Sequence, residues 1–194
     1  MAADASSVGL GGQSDSGLCT RKFAGGTDPR SYGVMNVASE VNQDFVDMLS
    51  ALMASDVEFL VVGAYALAVH GFPRATGDID ILVAPTADNA TRVYRALVAF
   101  GAPVSAHGIT EKDFETKGTV YQIGLPPRRI DLLTSISGVE YSEAASEAVR
   151  GHVGPCAVRF IGKAALIKNK RATGRTKDLA DVEQLTSLEN DPTQ

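Results

Sequence analysis

Cysteine is scarce in this chain. Cys19 and Cys156 are the two present, far apart and in no C-x-x-C spacing. That excludes a disulfide framework and a cysteine-built zinc site. An excess of basic residues is lacking too. The formal net charge is −5 and the isoelectric point about 5.2. No global positive field therefore advertises a nucleic-acid binder. No apolar run approaches the roughly 18 residues that a membrane span needs. The N-terminus lacks the basic and apolar regions of a signal peptide, so a cytoplasmic protein with no membrane partner is expected. What is present is ordinary globular material, 44% hydrophobic and 21% charged over 194 residues. That is enough for one good core.

Residues 1–36 are rich in Gly, Ser and Asp and lack apolar periodicity. They read as a disordered tail, or as an over-extended start with Met35 as the true initiator. Residues 37–188 read as one folded domain, and 189–194 as a flexible polar tail. Phe45, Met48, Leu49 and Leu52 recur at helical spacing, which predicts a helix over 39–54. Val57 to Val62 is apolar and rich in β-branched and aromatic residues, so it predicts a core strand. A short helix follows over 64–70, then a strand from Asp78 to Val83. Thr86 suits a helix N-cap and Gly101 its stop. Thr119–Ile123 and Arg129–Leu133 read as strands around a Gly124–Pro127 turn. Residues 140–149 read as helix, Ala157–Ile161 as strand, and the chain beyond Gly162 as helix broken near Gly174. The expected class is α/β: a small mixed sheet flanked by helices, with helices at the C-terminal end.

The aspartates of the second strand carry the chemistry. Asp78 and Asp80 are two apart, so both carboxylates leave the sheet on one face. Ile79, Ile81, Leu82 and Val83 around them give the strand a buried side. Paired carboxylates there are costly without a positive charge between them, and a divalent cation answers that cost. Asp131 stands alone among Ile130, Leu132 and Leu133. If its strand neighbours the Asp78–Asp80 strand, three carboxylates converge. Such a cluster can hold two Mg²⁺ ions about 3.5–4 Å apart, one on a triphosphate and one beside an attacking hydroxyl. Asp131 is then ligand or proton acceptor. Gly63 ends one strand and opens a helix. It either makes a tight turn or lets phosphate oxygens approach backbone N–H groups, with small Ala64 beside it.

These residues resemble the nucleotidyltransferase superfamily related to DNA polymerase β. Its signature is an apolar residue, Gly and a small residue, then a spacer, then an acid–apolar–acid triplet. Here it reads Val62-Gly63-Ala64, residues 65–77, and Asp78-Ile79-Asp80. Asp131 matches the third acid, on a later strand. Ala64 departs from the usual Gly or Ser, which removes one hydroxyl contact to phosphate. Within the superfamily, the segment His70 to Asp80 and the run Leu166 to Val182 look most like the AbiEii-type toxins and their stand-alone relatives. The resemblance covers about residues 58–187. It implies the nucleotidyltransferase fold, Mg²⁺ or Mn²⁺ on Asp78, Asp80 and Asp131, and an NTP as substrate. It also implies a toxin–antitoxin setting with a cognate antitoxin and an RNA or protein acceptor.

The charges around these acids have two readings each. Lys168, Lys170, Arg171, Arg175 and Lys177 crowd into ten residues of an acidic chain. They are either a solvated helix face or counter-charge for phosphates. By resemblance, Lys170 meets the nucleotide phosphates. Asp178 and Asp181 share a helix face and suit orienting a basic residue. Arg74 and Thr76 precede the acid pair, as γ-phosphate contacts or as surface residues. His70 either caps the short helix or takes part in catalysis, and His107 has no partner visible in the sequence. Two rival readings use the same acids. One is an antibiotic-type nucleotidyltransferase with a small-molecule acceptor, and the other a nucleotide-binding regulatory module without catalysis.

Overall fold

The computed structural model describes residues 41–187. The two expected tails, the Met35 start and Cys19 lie outside them. Thirteen elements follow in order. These are α1 Gln43–Ala54, β1 Phe59–Val62, α2 Gly63–Val69, β2 Asp78–Val83, α3 Ala87–Phe100 and α4 Glu111–Glu115. Then come β3 Val120–Leu125, β4 Arg128–Leu133, α5 Tyr141–Ser146, β5 Val149–Val153, β6 Cys156–Phe160, α6 Lys163–Thr173 and α7 Thr176–Ser187. The strands form one six-stranded sheet in the order β3-β4-β2-β1-β6-β5. β2 pairs parallel with β4 and β1 parallel with β6, while the other neighbours run antiparallel. The expected small mixed sheet with flanking and C-terminal helices is what forms.

Local chemistry explains most boundaries. Thr86 caps α3 by accepting from the Asn89 amide, and Gly101 ends it in the left-handed conformation at φ 86°. Gly174 ends α6 the same way, at φ 67°. Only glycine adopts that geometry cheaply. The core packs Leu60, Ile79, Ile81 and Leu132 of the sheet with Met48, Leu49 and Leu52 of α1 and Val93 and Leu97 of α3. Asn89 is fully buried and stitches strand ends together. Its amide donates to the carbonyls of Glu58 and Ala84, and its oxygen accepts from the Glu58 N–H.

Two expectations need correction, and one helix was not foreseen. The hairpin between β3 and β4 turns on Pro126 and Pro127 alone, because Gly124 and Leu125 still pair with Arg129 and Arg128. The helix expected over 140–149 stops at Ser146, and Val149 opens β5. β5 is an edge strand whose inward-facing Gly151, between Val149 and Val153, leaves too few apolar residues to show the period-two signal. The short helix α4 went unanticipated; a capping box between Thr110 and Asp113 holds it.

Candidate active site

The register of two strands builds the site. β2 and β4 run parallel with Asp78 opposite Arg129 and Asp80 opposite Asp131. Residues paired across neighbouring strands share a face, as do residues two apart on one strand. Asp78, Asp80, Asp131 and Arg129 therefore stand as four corners on one side of the sheet. β3 adds Gln122 opposite Asp131. The expected convergence of three carboxylates is present, but in company the sequence reading missed. Arg129 Nε donates to Asp131 Oδ1 at 2.6 Å, and its Nη2 donates to Asp131 Oδ2 at 2.9 Å and Asp78 Oδ2 at 3.1 Å. Gln122 Nε2 approaches both Asp131 oxygens at 3.3 Å. Among the described residues, no three acidic, histidine or cysteine side chains form a ready metal cage. The guanidinium stands where three-carboxylate coordination was expected. The i−2 spacing of Arg129 from Asp131 could have revealed it.

Asp80 differs from its neighbours. No described residue hydrogen-bonds or ion-pairs its carboxylate. Burial pushes its carboxyl above the usual range, and the charges of Asp131 and Asp78 push further. Arg129 and Arg175 offset part of this. The carboxylate lies against Gly63, where an added Cβ would overlap its Oδ2 and Cγ. Gly63 also holds φ 65°. The sequence reading offered Gly63 as a turn or a phosphate cradle; the structure makes it the space that admits Asp80. Gly63→Ala is expected to displace that carboxylate and to cost about 1–2 kcal/mol of backbone strain. Thermal melting checks this, and a variant with wild-type stability contradicts it.

The remaining candidates take varied places. Ala64 is buried, so its side chain faces the interior. Thr76 is exposed, and its hydroxyl bonds the Asp78 carbonyl at 3.1 Å and reaches Asp78 Oδ1 at 3.4 Å. It steadies the start of β2. Lys170, expected at the phosphates, is only 4% exposed. Its ammonium donates to Asp178 Oδ1 at 3.0 Å and Asp181 Oδ2 at 2.7 Å. Those two acids reach outward in turn. Asp178 Oδ2 accepts from Arg175 Nε at 2.6 Å and from the Thr173 hydroxyl at 3.1 Å. Asp181 Oδ1 meets Arg74 Nη1 at 3.3 Å. Burial pushes the Asp178 carboxyl up, but the bonds from Lys170 and Arg175 outweigh it and hold the group below the usual range. Arg74 and Arg175 are therefore the accessible cations of this cluster, with Lys170 buried beneath the acids that hold them.

The rest of the basic run disperses. Lys168 turns to Glu143 at 2.7 Å. His70 Nε2 lies 2.9 Å from the Ile161 carbonyl and ties α2 to the end of β6, which favours the structural reading. His107 finds the Tyr121 hydroxyl at 3.2 Å. A cleft of about 360 Å³ lined by Pro85, Thr134, Ile136, Tyr141 and Lys168 opens past the opposite ends of β2 and β4, and it contains none of the acids of the β2–β4 face.

No helix of the described residues is long and apolar enough to cross a membrane. No protein-family model matches the chain, and no curated protein matches it. Among solved structures, the chain is similar to the antibiotic-resistance factor ANT(2'')-Ia, described in solution with substrate-regulated conformation dynamics. The identity is 15% and the TM-score 0.48, covering 76% of this chain and 83% of that one.

Proposed function

We propose that this chain is a metal-dependent nucleotidyltransferase that moves a nucleoside monophosphate from an NTP to an acceptor hydroxyl and releases pyrophosphate. The observation that carries this reading is the in-register pairing that sets Asp80 between Asp78 and Asp131 on one sheet face. The donor set is all oxygen, which suits Mg²⁺ or Mn²⁺ rather than softer metals. Asp80, desolvated and without a protein partner, supplies a carboxylate that gains from a cation. Mg²⁺ commonly takes one or two carboxylates and completes its shell with substrate phosphates and water, so Asp78 and Asp80 suffice. When bound, the cation supplies charge neutralisation on the triphosphate and on the developing transition state.

The chain's own side chains do the rest. Asp78, steadied by Thr76, and Asp80, admitted by Gly63, hold the cation. Arg74 and Arg175 meet phosphate oxygens while Asp181 and Asp178 keep their heads in place. Asp131, oriented by Arg129 and Gln122, takes the proton of the acceptor hydroxyl. The AbiEii resemblance of the His70–Asp80 and Leu166–Val182 segments favours a toxin–antitoxin setting, with RNA or protein as acceptor.

The experiment incubates the full chain with each α-labelled NTP, Mg²⁺ and three acceptor sets: RNA, protein and amino-sugar small molecules. Label on RNA or protein supports the toxin reading. Label on a small molecule moves the chain to the antibiotic-type class, and NTP binding without turnover makes it a regulatory module. Asp78→Ala with Asp80→Ala is expected to lose labelling by about 1,000-fold or more, the scale of several kcal/mol of charge stabilisation. Unchanged labelling by the double variant sinks the mechanism.

A further inference from the structure

The fourth corner of the acid face is a cation that belongs to the chain. Arg129 lies beside Asp78 in the strand register and two residues before Asp131. Its guanidinium forks onto both oxygens of Asp131 and reaches one oxygen of Asp78. Gln122 closes on the same Asp131 oxygens from β3. Asp131 is 6% exposed, and both of its oxygens accept from these two neighbours. Asp80 is the acid left without such a partner among the described residues.

We propose that Arg129 is a resident counter-cation that keeps Asp131 out of metal coordination, so that the face binds one divalent ion through Asp78 and Asp80 and Arg129 sets its affinity. The proposal rests on the metal reading of the acid face. Its physical basis is competition. A divalent ion on Asp78 must displace the Nη2 contact at 3.1 Å, while the two-bond fork on Asp131 is the stronger hold and stays. The guanidinium carries its charge at every working pH, so only a competing cation relieves the contact. Arg129 is thus a positioning residue that trades metal affinity for a fixed Asp131.

The test is a Mn²⁺ titration of the full chain, with free Mn²⁺ read by its electron paramagnetic resonance signal. Wild type is compared with Arg129→Gln, Arg129→Lys and Asp80→Asn, and each variant's melting curve establishes that it is folded. Wild type is expected to bind one Mn²⁺. Arg129→Gln is expected to bind about tenfold tighter, since a like charge a few ångströms away is removed. Arg129→Lys keeps the charge and is expected to stay near wild type, which a role confined to packing would not produce. Equal or weaker binding by Arg129→Gln overturns this inference, while binding that Asp80→Asn abolishes leaves the metal reading standing. Two Mn²⁺ ions on wild type overturn the single-ion assignment. No Mn²⁺ binding by either wild type or Arg129→Gln overturns the metal reading itself.

Discussion

Asp80→Asn is expected to lose nucleotide transfer by about 1,000-fold or more and, in the same protein, to melt higher than wild type at neutral pH. The first effect follows from the proposed function, in which Asp80 is a cation ligand. The second follows from the cost of holding the charge. Burial and two neighbouring acids raise the Asp80 carboxyl. The folded state therefore binds its proton more tightly than the unfolded chain does. Stability contributed by this group falls as pH rises from its ordinary value through the raised one. Above that window the full penalty is present, and the neutral amide removes it. The expected gain is about 2–4 °C, equivalent to about 1 kcal/mol in a domain of this size. It should shrink as pH falls toward the ordinary carboxylate range, where wild-type Asp80 is protonated in both states. Differential scanning calorimetry between acidic and neutral pH checks this. A variant that melts lower than wild type at neutral pH contradicts the electrostatic account.

Lys170→Met carries the largest expected loss of stability. The Lys170 ammonium serves two carboxylates that are 2% and 5% exposed. Removing it leaves Asp178 with Arg175 and Thr173, and Asp181 with Arg74 at 3.3 Å. Breaking a buried pair by deleting one partner costs about 3–5 kcal/mol, because the remaining charge is stranded. Urea denaturation is the measurement. Lys170→Met combined with Asp178→Asn and Asp181→Asn is expected to recover much of the loss, since no buried charge then stands alone. The pH dependence separates this from a plain packing defect. The Asp178 carboxyl lies below its ordinary range in the folded protein. Its contribution is complete above the unfolded value and is lost as pH falls through the folded one. That acid-sensitive share should diminish in Lys170→Met. A loss under about 1 kcal/mol, with the acid sensitivity intact, would show that Lys170 is not the keystone of this cluster.

This cluster also shows where reading along the chain stops. The spacing of Asp178 and Asp181 put both on one helix face, and both do serve one basic residue. By resemblance Lys170 was expected at the phosphates, and its burial is invisible in a run of basic residues. Only the packing of α7 on α6 sinks that lysine and leaves Arg175 and Arg74 as the outward cations. β5 escaped notice for another reason: Gly151 stands at the inward position between Val149 and Val153 where an apolar side chain would complete the alternation.

The acid face of the sheet divides along the same line. Period-two geometry within β2 is a property of any extended chain, so the shared face of Asp78 and Asp80 was readable from their spacing. Thr86, Gly101 and Gly174 marked helix ends because capping and positive φ are satisfied within a few residues. That Asp131 would meet Asp80, that Arg129 would fill the corner beside Asp78, and that Gly63 would make room for a carboxylate depend on the β2–β4 register and on how α2 leaves β1. Those are contacts between segments far apart in the chain, and it is the burial of the whole sheet that selects them.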